Sequence, residues 1–299
     1  MASVLLCSPV EPDTENTMRI TLWGTRGSVP VSGAPFVRHG GSTTCLSIDF
    51  DDTTAPRIVI DAGTGLAELG RAGGPWSNTL VLQTHLHWDH VQGFPFFGAL
   101  FDPSANFDFW AVERDGETLR QVLDRQMSRP TFPVGLDILP SNLEFESIPL
   151  NGRRHRGAVD ISWTELWHPS GSTGYRIEHD GCTFVFTGDV EAQQGCHDQL
   201  VELARGADVL VMDAQYFPDE YAGKEGWGHS TPADAVDVAL AAGVARLVLT
   251  HHDPSHDDAR LAQKLKLARS LAKGTGLLVD NAFDGMSIEL SERGARAAA

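Results

Sequence analysis

The sequence predicts an α/β fold in which sheet dominates and helices lie outside it, on three observations. Short apolar runs rich in Val, Ile, Leu, Trp and Thr recur at strand length along the chain. Helices with clear capping signals appear late, between those runs. Most of the runs stop at or beside an Asp or a His. That recurrence is expected if strand ends converge on one polar site at a sheet edge.

The predicted strands, in order, are MRITLWG (18–24), CLSIDF (45–50), RIVIDAG (57–63), NTLVLQTH (78–85), FDFWAV (107–112), ISWTELWH (161–168), CTFVFTGD (182–189), ADVLVMDA (207–214) and ARLVLTHH (245–252). His179-Asp180-Gly181 reads as a hairpin turn joining GYRIE to CTFVF. A weaker helix is expected over 116–127. A stronger one spans 230–243, with Thr231 as N-cap, Pro232 at the first helical position, Asp234 near the positive end of the dipole and Gly243 as its stop. The segment 255–276 repeats that design, with Ser255 as cap and Gly274 to finish. Residues 1–17 read as a flexible N-terminal extension with Met18 as an alternative start, and 18–299 as one domain, since no linker divides them.

Bulk composition narrows the function. The 299 residues, 41% hydrophobic, suffice for a large core. A formal charge of −17 repels polyanions, which argues against long nucleic acid as partner. Four cysteines (Cys7, Cys45, Cys182, Cys196) show neither CxxC nor regular spacing, so a reducing cytoplasm fits better than a disulfide framework. No run of eighteen apolar residues occurs, so no membrane span is expected.

The chemistry is concentrated in THLHWDH, Thr84 to His90, directly after a strand. Imidazoles bind Zn(II) when several converge from rigid backbone. His85 and His87, two apart on extended chain, point to the same side, while Asp89 and His90 follow on the turn, where they can face a second ion. The alternative is a polar loop whose histidines cap a helix or meet water. Crowding potentially cationic groups without a metal is costly, which favours the ion site.

This HxHxDH pattern resembles the signature of the metallo-β-lactamase fold superfamily. The resemblance runs over nearly the whole chain, because later positions follow in order: Asp61 in IDAGTG, His168 in WHPSGSTGYRI, Asp189 in FTGD and His251 in LVLTHH. It implies an αββα sandwich with a dinuclear metal site at the sheet edges. One ion would take His85, His87 and His168, the other Asp89, His90 and His251; Asp189 would bridge both, and Asp61 would support the metal loop. The cofactors implied are two divalent ions, zinc first, with manganese or iron as alternatives. His252 is a rival to His251; a strand aims consecutive side chains oppositely, so only one should face the site, and His251 is our choice. His39, His155, His179, His197 and His256 read as solvated or structural.

GHST (228–231) and MDAQYF (212–217) are similar to motifs of the ribonuclease Z-like phosphodiesterase branch, which implies a pairing of Asp213 with His229. That branch more often carries Glu where Asp213 stands. Residues 22–48 resemble class II-like cyclic-nucleotide phosphodiesterases; their GTRGS and HGGSTTC loops, with Arg26, would suit a wall against a nucleotide or a contact between subunits. The stretch 125–140, with Arg125, Arg129, Phe132 and Pro133, could form a lid whose aromatic ring stacks on a base, though packing explains Phe132 equally well.

The expectation is therefore a metal-dependent phosphodiesterase acting on small nucleotides, 3′,5′-cyclic mononucleotides first, by attack of a hydroxide shared between the ions. Its catalytic groups would be His229, Asp213 and Asp89, with His229 serving the departing sugar oxygen. Competing readings are an esterase or lactonase, a ribonuclease Z-like endoribonuclease, and an iron redox enzyme. The partners expected are a small phosphodiester substrate and a second copy in a homodimer, with neither long nucleic acid nor membrane.

Overall fold

The computed structural model describes residues 17–291. Residues 1–16 of the expected extension, Cys7 among them, lie outside the described residues. Fourteen strands form two seven-stranded sheets. The first holds β1 (Met18–Gly24), β2 (Cys45–Phe50), β3 (Arg57–Ile60), β4 (Thr79–Gln83), β5 (Asn106–Val112) and β6 (Asn142–Ile148). The second holds β7 (Gly152–Arg156), β8 (Val159–Leu166), β9 (Ser172–His179), β10 (Cys182–Phe186), β11 (Val209–Asp213), β12 (Arg246–Thr250) and β13 (Leu278–Asn281). The last strand, β14 (Met286–Leu290), returns to the first sheet beside β1.

Alternation within strands builds the core. On β1, Ile20 pairs with Ile48 of β2 and Ile288 of β14, and on β4 Leu82 pairs with Ile60 and Trp110. These side chains share one buried cluster with Ile161, Trp163, Tyr175, Ile177, Phe184, Val211 and Val248 of the other sheet. Each such side chain stabilises the fold by about 1.5–3 kcal/mol. Helices cover both outer faces, so β4, β10 and β11 are buried along their whole length. On the first sheet, α1 (Gly65–Ala72) and α3 (Leu119–Gln126) bring Leu66, Leu69 and Leu123 into a cluster with Val59, Val81 and Phe109. On the second, α4 (His197–Ala204), α6 (Pro232–Ala242) and α7 (Asp258–Leu271) bring Leu200, Ala235, Val238 and Ala268 against Val185, Leu210 and Leu247. The layer order is helix, sheet, sheet, helix: the expected αββα sandwich.

Strands β3 to β6 are mutually parallel, and so are β10 to β13. Parallel strands send their C-terminal ends to one edge, where ligand sites of α/β sheets are built. Asp61, His85, Asp189, Asp213 and His251 all lie at or just beyond such ends.

Helix α6 starts and stops as expected. Thr231 Oγ1 accepts from Asp234 N, the Asp234 carboxylate accepts from Thr231 N, and Gly243 closes the helix at φ 68°. Helix α7 departs from expectation at both ends. Asp257 is its cap, accepting from Arg260 N at 2.7 Å, while Ser255 folds into a local turn on Asp253; the helix stops at Leu271, before Gly274. A carboxylate two residues further on competes successfully for the first free N–H groups. The hairpin between β9 and β10 turns through Asp180 and Gly181, both at positive φ, as a two-residue primed turn requires.

Candidate metal centre

The expected strand ends stop short of the site. Strand β4 finishes at Gln83, β8 at Leu166 and β10 at Phe186, so His85, His168 and Asp189 stand on loops two or three residues past pairing. Asp89 and His90 are not on an open turn; they lie on a short helix, α2 (Trp88–Val91), whose first residue follows His87. That helical turn aims both side chains at the same edge.

All seven positions expected to hold metal are brought together. His85, His87 and His168 each offer a ring nitrogen to one group, and Asp89, His90, Asp189 and His251 form a second group; within each, the offered atoms lie within 4.8 Å of one another. His87 Nδ1 faces His168 Nε2 at 3.0 Å. Asp189 stands between the groups, 3.7 Å from His85 Nε2, 3.2 Å from His90 Nε2 and 3.0 Å from His251 Nε2. Asp89 lies 3.3 Å from His251 Nε2 and 3.4 Å from His90 Nε2.

Outer contacts fix most of these rings. His90 Nδ1 lies 2.7 Å from Asp61, a fully buried carboxylate that also accepts from Thr84 N at 2.8 Å. His168 Nδ1 donates to the Gly228 carbonyl at 2.8 Å, and His251 Nδ1 to Gln215 Oε1 at 2.9 Å. His85 Nδ1 sits 3.0 Å from Thr84 Oγ1. Each contact leaves the other nitrogen's lone pair directed at the centre, the arrangement by which proteins orient metal-binding imidazoles. Close backbone approach is built in. A Cβ on Gly27 would meet the His251 ring at 2.4 Å, and one on Gly228, at φ 93°, would meet His168 Nδ1 at 2.1 Å. Asp61 and His251 themselves adopt φ of 63° and 55°, left-handed conformations uncommon outside glycine and typical of functional sites.

The residues fit a pair of cations. His85 Nε2 is buried with no hydrogen-bond partner among the described residues, an expensive condition unless a ligand takes the lone pair. The first group is all nitrogen and the second two nitrogens and two carboxylates, donor sets that suit zinc, manganese or iron. Burial holds His85 well below the ordinary imidazole range and pushes His168 down to about 4, so both are neutral and ready to ligate at neutral pH. In the second group, burial is outweighed by carboxylates. Asp189, Asp89 and Asp61 hold His90 well above its ordinary value, and Asp189 and Asp89 raise His251 to about 10. His90 and His251 in turn keep Asp89 and Asp189 ionised against their burial.

The choice between His251 and His252 is decided by orientation: His252 Nε2 donates to the Ala282 carbonyl at 2.9 Å, away from the cluster. His229 lies outside these two groups yet beside them, and its ring also comes within 4.8 Å of ligand atoms of His168 and Asp189 and of Asp213 and His251. Its Nδ1 is 2.7 Å from the fully buried Asp213, its ring stacks on His251 at 4.7 Å, and it stands 5.3 Å from His168. The shorter Asp213 therefore reaches the histidine without the extra methylene of Glu.

Two expectations need correction. Arg26 is no wall for a nucleotide; it is fully buried and donates to the Gly40 and His256 carbonyls, tying loops together. That loop's contribution to the site is Ser28 N, which donates to Asp89 at 2.7 Å. Phe132 packs edge-on against Phe96 at 5.8 Å and does not line the cavity beside His87, whereas Arg125 and Thr131 do. Of the remaining histidines, His39, His179 and His256 are buried and face carboxylates, His197 is half-buried, and His155 is exposed. Sequence reading missed Gln215, Gly228 and Gln83, whose Nε2 bridges Asp61 and the carbonyls of His85 and His90. Their signal is position alone: Gln215 lies within MDAQYF, Gly228 opens GHST and Gln83 directly precedes THLHWDH.

Fold and site together define a metal-dependent hydrolase. The family model described as a beta-lactamase superfamily domain matches residues 56–252, and the chain belongs to that superfamily. A ribonuclease Z of Haloarcula marismortui is 26% identical over 79% of this chain and 86% of its own length, and an uncharacterised protein of Mycobacterium leprae is 31% identical over 80% and 78%. Among solved structures, the metallo-beta-lactamase fold protein YhfI from Bacillus subtilis superposes with TM-score 0.70 at 20% identity, covering 92% of this chain and all of that one. Unliganded yeast PDE1 superposes with TM-score 0.63 at 15% identity, covering 92% and 99%. Among the described residues, no helix is long and apolar enough to cross a membrane.

Proposed function

We propose that the protein is a phosphodiesterase for small nucleotides, with 3′,5′-cyclic mononucleotides as the leading substrates and zinc as the leading metal. The single observation that carries this reading is His229, held by Asp213 beside both ligand groups without being needed by either. Two ions held by His85, His87 and His168 and by Asp89, His90 and His251, with Asp189 between them, would supply Lewis-acid charge and acidify water near neutral pH. The chain's own residues do the rest. Asp213 accepts from Nδ1 of His229 and so turns Nε2 toward the space between His168 and His251. From there Nε2 hands a proton to the sugar oxygen that leaves phosphorus.

Small substrates are favoured by charge and by form. The net charge of −17 opposes a long RNA, and the segment between His90 and His168 is spent on β5 to β8, α3 and short connections rather than on a basic arm. A cytoplasmic homodimer belongs to the same reading. The second reading is a ribonuclease Z-like endoribonuclease, favoured by the name of the Haloarcula relative. A hydrolysis screen with metals quantified in the same preparation tests both, using cyclic mononucleotides, linear dinucleotides, a precursor tRNA, p-nitrophenyl acetate and simple lactones. Turnover of cyclic nucleotides is expected to lead. Preference for the tRNA supports the second reading, and turnover of acetate or lactone alone overturns both.

A further inference from the structure

Beside the histidine trio lies a cavity of about 450 Å³. His85 and His87 form its inner wall, Ser170 lies on its rim two residues after His168, and Trp88, Val91 and Val122 give it an apolar lining. Its size falls in the range of pockets that hold a drug-sized molecule, about 300–1,000 Å³.

The charges around it are already matched. Arg114 donates to Glu165 at 2.5 Å and to Thr173 at 2.8 Å, and Arg125 donates to Glu117 at 2.9 Å, while Asp115 adds a further negative group. Such a wall offers nothing to a second phosphate. It suits an uncharged, flat group tethered to the one phosphate at the ions. Trp88 supplies the matching surface: the residue is 64% exposed, and its backbone sits between His87 and Asp89, so its position is fixed relative to the metal site.

We propose that this cavity is the nucleoside subsite, in which the base of the substrate stacks on Trp88 while its phosphate lies at the metal centre. The inference rests on the phosphodiesterase reading and narrows it to substrates with a single base and no further phosphate on that side. Stacking of a base on an aromatic side chain is sequence-tolerant, so several bases should be accepted.

Two chromogenic diesters with the same leaving group test this: thymidine 5′-(p-nitrophenyl) phosphate and methyl p-nitrophenyl phosphate. The readout is the ratio of their kcat/KM values, in which any damage to metal loading cancels. The wild type should prefer the nucleoside ester, and Trp88→Ala should reduce that ratio by about tenfold or more, the usual cost of a lost base–aromatic stack. Trp88→Phe should keep most of the preference, and Val122→Asp, on α3 and away from every ligand, should lose it. Trp227→Ala is the control, since Trp227 is 59% exposed but does not line the cavity. A ratio unchanged in Trp88→Ala, or a wild type that cleaves both esters equally, overturns the subsite alone. A wild type that cleaves neither overturns the phosphodiesterase reading and the subsite with it.

Discussion

His229 stacks on His251 with ring centroids 4.7 Å apart and planes 18° from parallel, while Asp213 holds its Nδ1 at 2.7 Å. One histidine of this stack faces the carboxylates Asp89 and Asp189, and the other is paired with Asp213 instead. His229→Ala should therefore leave both ions in place, because the trio of His85, His87 and His168 and the quartet of Asp89, His90, Asp189 and His251 are complete without it, although it also approaches His168 and Asp189. Turnover of a cyclic nucleotide should drop about 10²–10⁴-fold, the usual contribution of a positioned proton donor. Metal analysis beside kcat is the check, and loss of both ions would contradict the role.

Gln215 affects the metal through His251. Its Oε1 accepts from His251 Nδ1, and its own carbonyl accepts from Lys264 Nζ at 2.9 Å, so the orienting group is itself anchored. Gln215→Leu should weaken the second ion by about 10–100-fold, as removal of such outer contacts does. The first ion should be unaffected. Chelator competition followed by two-step metal titration reads the two sites separately, and equal weakening of both would refute the assignment.

The sequence made most of this legible for a physical reason. Candidate ligands here are His and Asp that follow strand ends by one to four residues, so composition and position coincide at His85, His87, His168, Asp189 and His251. Elements with mixed or polar surfaces were harder to see. Strand β7, GRRHR, carries no apolar run because it lies at a sheet edge, with Arg154 over the rings of Trp110 and Trp163. Strand β6, NLEFESI, alternates charged and apolar residues, and α1 contains two glycines, which mask its pattern. Outer contacts left least trace: Gln215 and Gly228 act through a side-chain amide and a carbonyl that any loop could offer.

Gly27 is silent in sequence and decisive in space. A methyl group there would overlap the His251 ring at 2.4 Å, so Gly27→Ala must push either the ring or the 24–28 loop. The same loop brings Ser28 N to Asp89, so the displacement is felt at two ligands of one ion. Activity should drop at least tenfold, with the loss concentrated in second-ion affinity; displacing a site group by about 1 Å typically costs about 10²-fold. Unchanged affinity for both ions would show that the loop yields freely.

Lys264 is fully buried, and burial lowers its ammonium to about 7 despite Asp213, Asp253 and Glu220. In the unfolded chain the same group titrates at about 10.4. Between those values the unfolded state holds a proton that the folded state lacks, so this residue makes stability rise with pH from about 7 to about 10.4. With ions bound, urea unfolding of the wild type at pH 7 and pH 10 should show that rise, and Lys264→Met should lack it. An identical pH slope in the two proteins would refute the assignment.

Protons and metal ions compete for the two ligand groups unequally. Burial keeps His85 well below its ordinary value, lowers His87 and holds His168 at about 4, so the trio has no proton to lose at pH 7.5. His90 stays protonated because Asp189, Asp89 and Asp61 outweigh its burial, and His251 does so up to about 10. An ion entering the trio should therefore release almost no protons, and one entering beside Asp89 and Asp189 should release one from each histidine. Calorimetric titration at one pH in two buffers of different ionisation enthalpy separates the events. By linkage, affinity at the second site should rise with pH between pH 7 and 9, by about a factor of ten per pH unit for the His251 proton alone, while the first site stays level. Equal proton release at both sites would show that the carboxylates do not hold His90 and His251 charged, and would remove the physical basis for treating the two positions as different.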